Sequence, residues 1–65
     1  MNLLLWNIRK SKRLSLRELS YRTGLGKSTI SDFENGKSSP TLKQLEIIAR
    51  ALNCKMSDLY DSEYK

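Results

Sequence analysis

Residues 16–35 read LRELSYRTGLGKSTISDFEN, and two helical patterns meet in them at a glycine. Ser15 stands just before the stretch and Glu18 three residues on, the spacing of a capping box. The serine oxygen accepts from the N3 amide while the glutamate reaches back to the cap amide, so a helix is predicted to begin here. Leu16, Leu19 and Thr23 fall on one face of it. Gly24 is the predicted stop, because only a residue without Cβ adopts positive φ at little cost. Leu25 gives the turn an apolar anchor, and a second helix starting near Gly26 or Lys27 sets Ile30 and Phe33 on one stripe. At about 100° per residue, the opposite direction is taken by Ser28, Ser31, Asp32 and Asn35, with Lys27 at its edge. Every outward side chain there can hydrogen-bond.

Two helices, a glycine turn and a polar outer face on the second helix match the helix-turn-helix, a motif whose second helix enters the major groove of DNA. The net charge is +5, and its distribution is uneven. Residues 1–27 carry Arg9, Lys10, Lys12, Arg13, Arg17, Arg22 and Lys27 against Glu18 alone, a net of +6, whereas residues 28–65 carry five basic and six acidic side chains, a net of −1. The positive charge therefore lies on the first two helices and at the start of the third, the parts that helix-turn-helix docking sets against phosphate. Basicity alone also describes an ordinary solvated surface; joined to this motif it points to nucleic acid.

Outward from the motif, a first helix is predicted over about Asn2 to Lys12, with Leu5 and Ile8 toward the core. Arg9 falls beside that face, where a lone charge is costly and needs a partner. Leu3, Leu4 and Trp6 cannot share one stripe with Leu5 and Ile8. They are expected to be partly buried against the C-terminal segment, and an exposed Trp6 is an interface candidate. Gly36 ends the third helix, and Lys37 to Pro40 form a loop. Thr41 and Gln44 make a second capping box, after which Leu42, Leu45, Ile48, Ala49 and Leu52 repeat at helical spacing in an amphipathic fourth helix. Asn53 is the expected left-handed terminator. Met56, Leu59 and Tyr60 suggest a short fifth helix for which Lys55 is a poor N-cap, and Asp61 to Lys65 are expected to fray. The expected architecture is an all-α, compact five-helix bundle, one domain over residues 1–65 with the helix-turn-helix at 16–35 and no strand, repeat or linker.

A 65-residue domain buries only about 60% of the surface its unfolded chain exposes, so oligomerisation is an expected source of added stability. No apolar run is long enough to span a bilayer, and MNLLLW lacks the charged n-region and small-residue cleavage site of a signal peptide. The single Cys54 cannot form an internal disulfide, which fits a reducing cytoplasm, and without histidine there is no ordinary zinc constellation. Paired acids in a pocket-sized fold and Gly-rich phosphate loops are missing as well. An enzyme is therefore not expected, nor is a cofactor, a metal or a small-molecule effector.

From about Leu5 to Tyr60 the chain resembles the XRE family of Cro and phage-repressor-type helix-turn-helix proteins, the lambda-repressor-like DNA-binding domains. The resemblance is carried by LSLRELSYRTGLGKSTISDFENGKSSPTLKQLEIIARALN followed by MSDLY, where Leu19, Gly24, Ile30, Phe33, Glu34-Asn35-Gly36-Lys37 and Pro40 stand in one register. It implies a five-helix bundle and homodimers on palindromic operators. It also implies that Lys27 and Ser28 contact base edges, with Thr29, Ser31 and Asp32 at or near the groove. Asn35 to Lys37 resemble the segment that offers backbone amides and a lysine to phosphate, and Arg9 is implied to pair with Glu34. By the same analogy Leu59, Tyr60 and Tyr64 are candidates for the dimer contact. Three positions depart from the family pattern. Leu16 replaces a DNA-touching Gln, which shifts that contact toward Arg17. Ser20 replaces a small Ala, its hydroxyl being able to bond back to a helix carbonyl. Gly26 replaces a Ser or Thr cap and is weaker by a few tenths of a kcal/mol.

The chemistry of the outer face then ranks its members. Lys27 can donate to guanine O6 and N7 or to a phosphate, while Ser28 and Thr29 carry little base preference. Asp32 is repelled by phosphate yet can accept from cytosine N4; the alternative is a partner within its own helix, Lys27 or Ser28. One good bidentate pair discriminates by only about 1–3 kcal/mol, so operator selectivity calls for two copies with their helices about 34 Å apart. The expected function is a transcriptional regulator, a repressor, binding double-stranded DNA as a homodimer in the cytoplasm. The competing class is an antitoxin-like or protein-interaction module with secondary DNA binding.

Overall fold

The computed structural model describes residues 2–62 of the chain. Its elements are β1 (Asn2–Leu3), α1 (Leu5–Ser11), α2 (Leu16–Thr23), α3 (Lys27–Glu34), α4 (Leu42–Leu52), a 3-10 helix (Met56–Leu59) and β2 (Tyr60–Asp61). Short-range hydrogen bonds start α2 and α4 and close α3 and α4. Both capping boxes form. Ser15 Oγ accepts from the Glu18 amide at 3.0 Å while the Glu18 carboxylate accepts from the Ser15 amide at 3.2 Å. Thr41 and Gln44 repeat the arrangement at 3.1 and 2.9 Å. At the other ends Gly24, Gly36 and Asn53 take the left-handed conformation, with φ of 77°, 75° and 53°. The amides of Lys37 and Cys54 then reach back to the carbonyls of Asp32 and Ala49, closing α3 and α4 with six-to-one bonds of the Schellman type.

The five-helix expectation gives way to four α-helices, a 3-10 turn and a two-stranded antiparallel sheet. The first helix begins at Leu5, not Asn2, because residues 2 and 3 are extended: β1 pairs antiparallel with β2, Asn2 opposite Asp61 and Leu3 opposite Tyr60. The Leu4 amide, which a longer helix would have left unpaired, donates to the Leu59 carbonyl at 2.7 Å. The predicted fifth helix is a single 3-10 turn, its Lys55 amide held by the Asp58 carboxylate at 3.0 Å. Among the described residues no helix is long and apolar enough to cross a membrane.

The core is drawn from every helix. Leu5, Leu14, Leu19, Ile30, Phe33, Leu45, Ile48, Ala49, Leu52 and Leu59 are buried together, with Leu3, Ile8 and Leu16 packed on the edge. Leu16 thus spends its side chain on the core margin. Leu42, which the spacing assigned to the inner face of α4, is 78% exposed. Trp6 is half-exposed on α1, with the Lys10 ammonium 5.7 Å from its ring centroid.

Candidate nucleic-acid interface

The turn between α2 and α3 is tied from both sides. Gly24 donates to the Ser20 carbonyl at 2.9 Å, and the Leu25 amide donates to Thr23 Oγ1 at 3.1 Å. Ser20 was expected to bond back to its own helix. Its hydroxyl instead reaches forward to the Leu25 carbonyl at 2.6 Å, fixing where the chain leaves the turn. Thr23 Oγ1 turns its own proton to the Leu19 carbonyl at 2.8 Å. These bonds set the angle at which α3 departs, with Ile30 and Phe33 buried beneath it.

On the outer side of α3, Lys27 and Ser28 are exposed in the first turn, Thr29, Ser31 and Asp32 are half-buried, and Asn35 is exposed at the C-cap. Asn35 Nδ2 donates to Ser31 Oγ at 3.2 Å, so two members of the row hold one another. The ion pairs among the described residues are Arg9 with Glu34 and Arg50 with Glu46, which leaves the Lys27 ammonium and the Asp32 carboxylate without one. Arg17 is exposed in the first turn of α2, and Lys37 is exposed just past α3. The amides of residues 35–38 are directed inward, to the carbonyls of Ser31, Phe33 and Asp32. In this segment the groups that point outward are therefore side chains, Asn35 and Lys37, rather than the backbone amides the resemblance implied.

Behind the row stands Arg9. Its Nε and a terminal nitrogen donate to the two carboxylate oxygens of Glu34 at 2.7 and 3.2 Å, and its other terminal nitrogen donates to the Leu14 carbonyl at 2.8 Å. One guanidinium so joins α1, the loop before α2 and the last residue of α3. The third bond was not visible in the sequence, since Leu14 carries no polar side chain to announce it. Of the residues considered for a dimer contact, Leu59 is fully buried in its own core and is withdrawn, Tyr60 is half-buried on β2, and Tyr64 lies outside the described residues.

Two helices fixed across a glycine turn, the second with a polar outer row, define a helix-turn-helix domain. The chain belongs to the XRE-type helix-turn-helix family HTH_3, whose sequence pattern matches residues 7–59. That family is one of DNA-binding domains of transcription regulators rather than of enzymes. The chain is 44% identical over 48 residues to the uncharacterized HTH-type transcriptional regulator y4dL of Sinorhizobium fredii, a match covering 74% of this chain and 24% of that protein. It thus spans about a quarter of that relative's length. Among solved structures it is similar to the restriction-modification controller protein C.AhdI from Aeromonas hydrophila, with a TM-score of 0.82, 28% identity, and 86% and 85% of the two chains covered. It is also similar to the N-terminal DNA binding domain of SinR from Bacillus subtilis, with a TM-score of 0.80, 29% identity, and 94% and 90% covered.

Proposed function

We propose that this domain binds double-stranded DNA sequence-specifically and represses transcription from a palindromic operator, two copies acting together with α3 of each in the major groove. The observation that carries this reading is the outer row of α3: polar side chains on a helix whose opposite face is buried, with the Lys27 and Asp32 charges unpaired within the described chain. Unspent hydrogen-bonding groups on a rigid helix are what base edges require. In this reading Lys27 and Ser28 meet base edges, Thr29, Ser31 and Asp32 lie at the groove, and Arg17, Asn35 and Lys37 meet the phosphate backbone on either side. The concentration of basic residues before position 28 supports the same orientation. The likeness to y4dL, an HTH-type transcriptional regulator, and to the DNA binding domain of SinR supports the class.

Selection of bound duplexes from random DNA tests the proposal, because it returns half-site sequence and half-site spacing together. Enrichment of an inverted repeat whose half-sites lie about one helical turn apart is the expected result. Binding without sequence enrichment, or binding that does not weaken steeply between two salt concentrations, would overturn it.

A further inference from the structure

Two positions at which this chain departs from the family pattern, Ser20 and Gly26, meet at a single peptide group. Ser20 Oγ donates to the Leu25 carbonyl at 2.6 Å in a half-buried bond, and that carbonyl belongs to the peptide unit whose nitrogen is that of Gly26. On the other side of Leu25 the amide donates to Thr23 Oγ1 at 3.1 Å, so the peptide groups flanking this residue are both held from the last turn of α2. Gly26 contributes backbone alone: no side-chain cap bond supports its φ of −66° and ψ of 151°, and its carbonyl accepts from the Ile30 amide at 3.1 Å, the bond that opens α3. With Gly24 at φ 77°, the link from α2 to α3 is glycine on both sides of Leu25. A link of that composition has little local preference for one angle of departure.

We infer that Ser20 is a positioning residue for DNA recognition, its hydroxyl fixing the entry to α3 that a serine or threonine cap at position 26 would otherwise fix. The inference rests on the DNA reading above and names the bond that aims the outer row at the bases. The two devices act on the same joint from opposite sides. A capping hydroxyl at position 26 would accept from the amide of Ser28 or Thr29 and hold that residue's dihedrals from the helix. Ser20 holds the plane of the preceding peptide from α2. With neither device, the joint is left to the freedom of a glycine. At its far end α3 is anchored by the Arg9–Glu34 pair, so any swing opens at the end that bears Lys27 and Ser28. The consequence falls on specificity rather than on affinity at large. Arg17 and Lys37 lie outside the link, and their charges tolerate a small swing, whereas a base contact requires its donor within about 0.5 Å and 10–20° of the productive geometry.

The test is a double-mutant cycle of wild type, Ser20→Ala, Gly26→Ser and the double variant. Thermal melts verify that each folds, which alanine at position 20 should permit, since a small side chain fits there. Fluorescence anisotropy gives affinities for the duplex recovered by selection and for random duplex at two salt concentrations, and amide relaxation by NMR without DNA gives the order of Gly26 and Lys27. Ser20→Ala is expected to weaken binding to the selected duplex by about tenfold. Its affinity for random duplex and its salt slope should stay as in wild type, a split that lost stability alone would not produce. Its order at Gly26 and Lys27 should fall. In the Gly26→Ser background the same substitution should cost less than about twofold and leave the order unchanged. A Ser20→Ala protein that keeps the wild-type preference for the selected duplex, or a loss equal in the two backgrounds, overturns the proposal. Should the wild type show no preference among duplexes, the DNA reading falls and the order measurements decide for Ser20. A fall confined to the Gly26 background keeps it as the residue that positions α3, and equal order with and without the hydroxyl removes it.

Discussion

The Arg9 Nε and the Glu34 carboxylate lie 2.7 Å apart with side chains 8% and 6% exposed, and they connect the first helix to the end of the one proposed to read DNA. An ion pair so placed is asymmetric in its effects: removing both members for apolar side chains is often tolerated, whereas removing one strands a charge without water. Arg9→Met should therefore cost about 3–5 kcal/mol, a large share of the stability of a small domain. Arg9→Met combined with Glu34→Leu should recover most of that. It should retain a residual loss of about 1 kcal/mol, since the Leu14 carbonyl still lacks its donor. Urea unfolding followed by circular dichroism measures all three, and a single variant as stable as wild type would show that the pair is not what fastens α3.

Arg13 occupies the left-handed region at φ 59°, at the end of α1, where the Leu14 amide closes the helix onto the Arg9 carbonyl. A side chain with Cβ is strained there by about 1–2 kcal/mol, part of which glycine returns through its greater unfolded freedom. Arg13→Gly should raise stability by about 0.5–1 kcal/mol, a melting shift of roughly 4–8 °C per kcal/mol in a domain of this size. The reverse experiment, Gly24→Ala at φ 77°, should destabilise. A fall in the melting temperature of Arg13→Gly would mean that the arginine side chain contributes more than its backbone costs.

Such positions mark how far the sequence could be read. The capping boxes at Ser15 and Thr41 and the stops at Gly24, Gly36 and Asn53 are legible because each is a local choice of residue within a single turn of chain. The outer row of α3 is legible for a related reason: a period of 3.6 assigns sides once Ile30 and Phe33 mark the inner one. Arg13 is hidden because nothing in an arginine announces positive φ. The two-stranded sheet is hidden because two-residue strands have no period and Asn2 pairs with a residue at the far end of the chain, Asp61. Leu59 was offered for a dimer contact by family analogy alone, and nothing in the spacing of residues 56–60 announces that it ends a 3-10 turn fully buried, with Tyr60 following on the strand. Spacing also put Leu42 with Leu45, yet a residue at the first position of a helix can project beyond the layer that its later turns cover. The Arg9–Glu34 contact is long-range and was implied only by family resemblance.

Gly26 precedes α3 with φ −66° and ψ 151°, ordinary extended values for an N-cap, and makes no side-chain cap bond. A Cβ built there meets Thr29 Oγ1 at 3.6 Å, an ordinary contact. Gly26→Ser should accordingly gain a few tenths of a kcal/mol by satisfying an orphan amide of the first turn. The gain should appear as slower hydrogen exchange in the amides of Ser28 and Thr29. Unchanged exchange there would mean that the serine side chain faces solvent and caps nothing.

Burial raises the Cys54 thiol above its ordinary value, with Asp58 adding to the shift and Lys12 opposing it. The folded state thus holds this proton more tightly than the unfolded state. Its contribution is fully present below the unfolded thiol value and is lost as pH rises through the folded one. Wild type should lose stability faster than Cys54→Ser in that alkaline window and match its slope at neutral pH, as read from urea midpoints. Alkylation of Cys54 by iodoacetamide at neutral pH should be slower than that of the unfolded chain. Equal alkaline slopes in the two proteins would contradict the shift.

The DNA reading makes different demands of Lys37 and Asp32. Lys37 is exposed past the end of α3, on a segment whose amides are turned inward, so its contribution to binding should come from its charge alone. Lys37→Ala should weaken binding to every duplex alike and reduce the slope of log affinity against log salt by about 1. Asp32 lies in the outer row with no ion pair among the described residues. Were it a partner within its helix, Asp32→Ala would change stability and leave specificity alone. As an acceptor from cytosine N4 it should cost about 1–3 kcal/mol at one base pair of the half-site and little elsewhere. Because the carboxylate is repelled by phosphate, the same variant should bind non-specific DNA slightly more tightly. Affinities of both variants for the selected site, for each single-base change in it and for random duplex, at two salt concentrations, separate these outcomes. A uniform loss on Asp32→Ala would remove it from base reading and leave Lys27 and Ser28 to account for specificity.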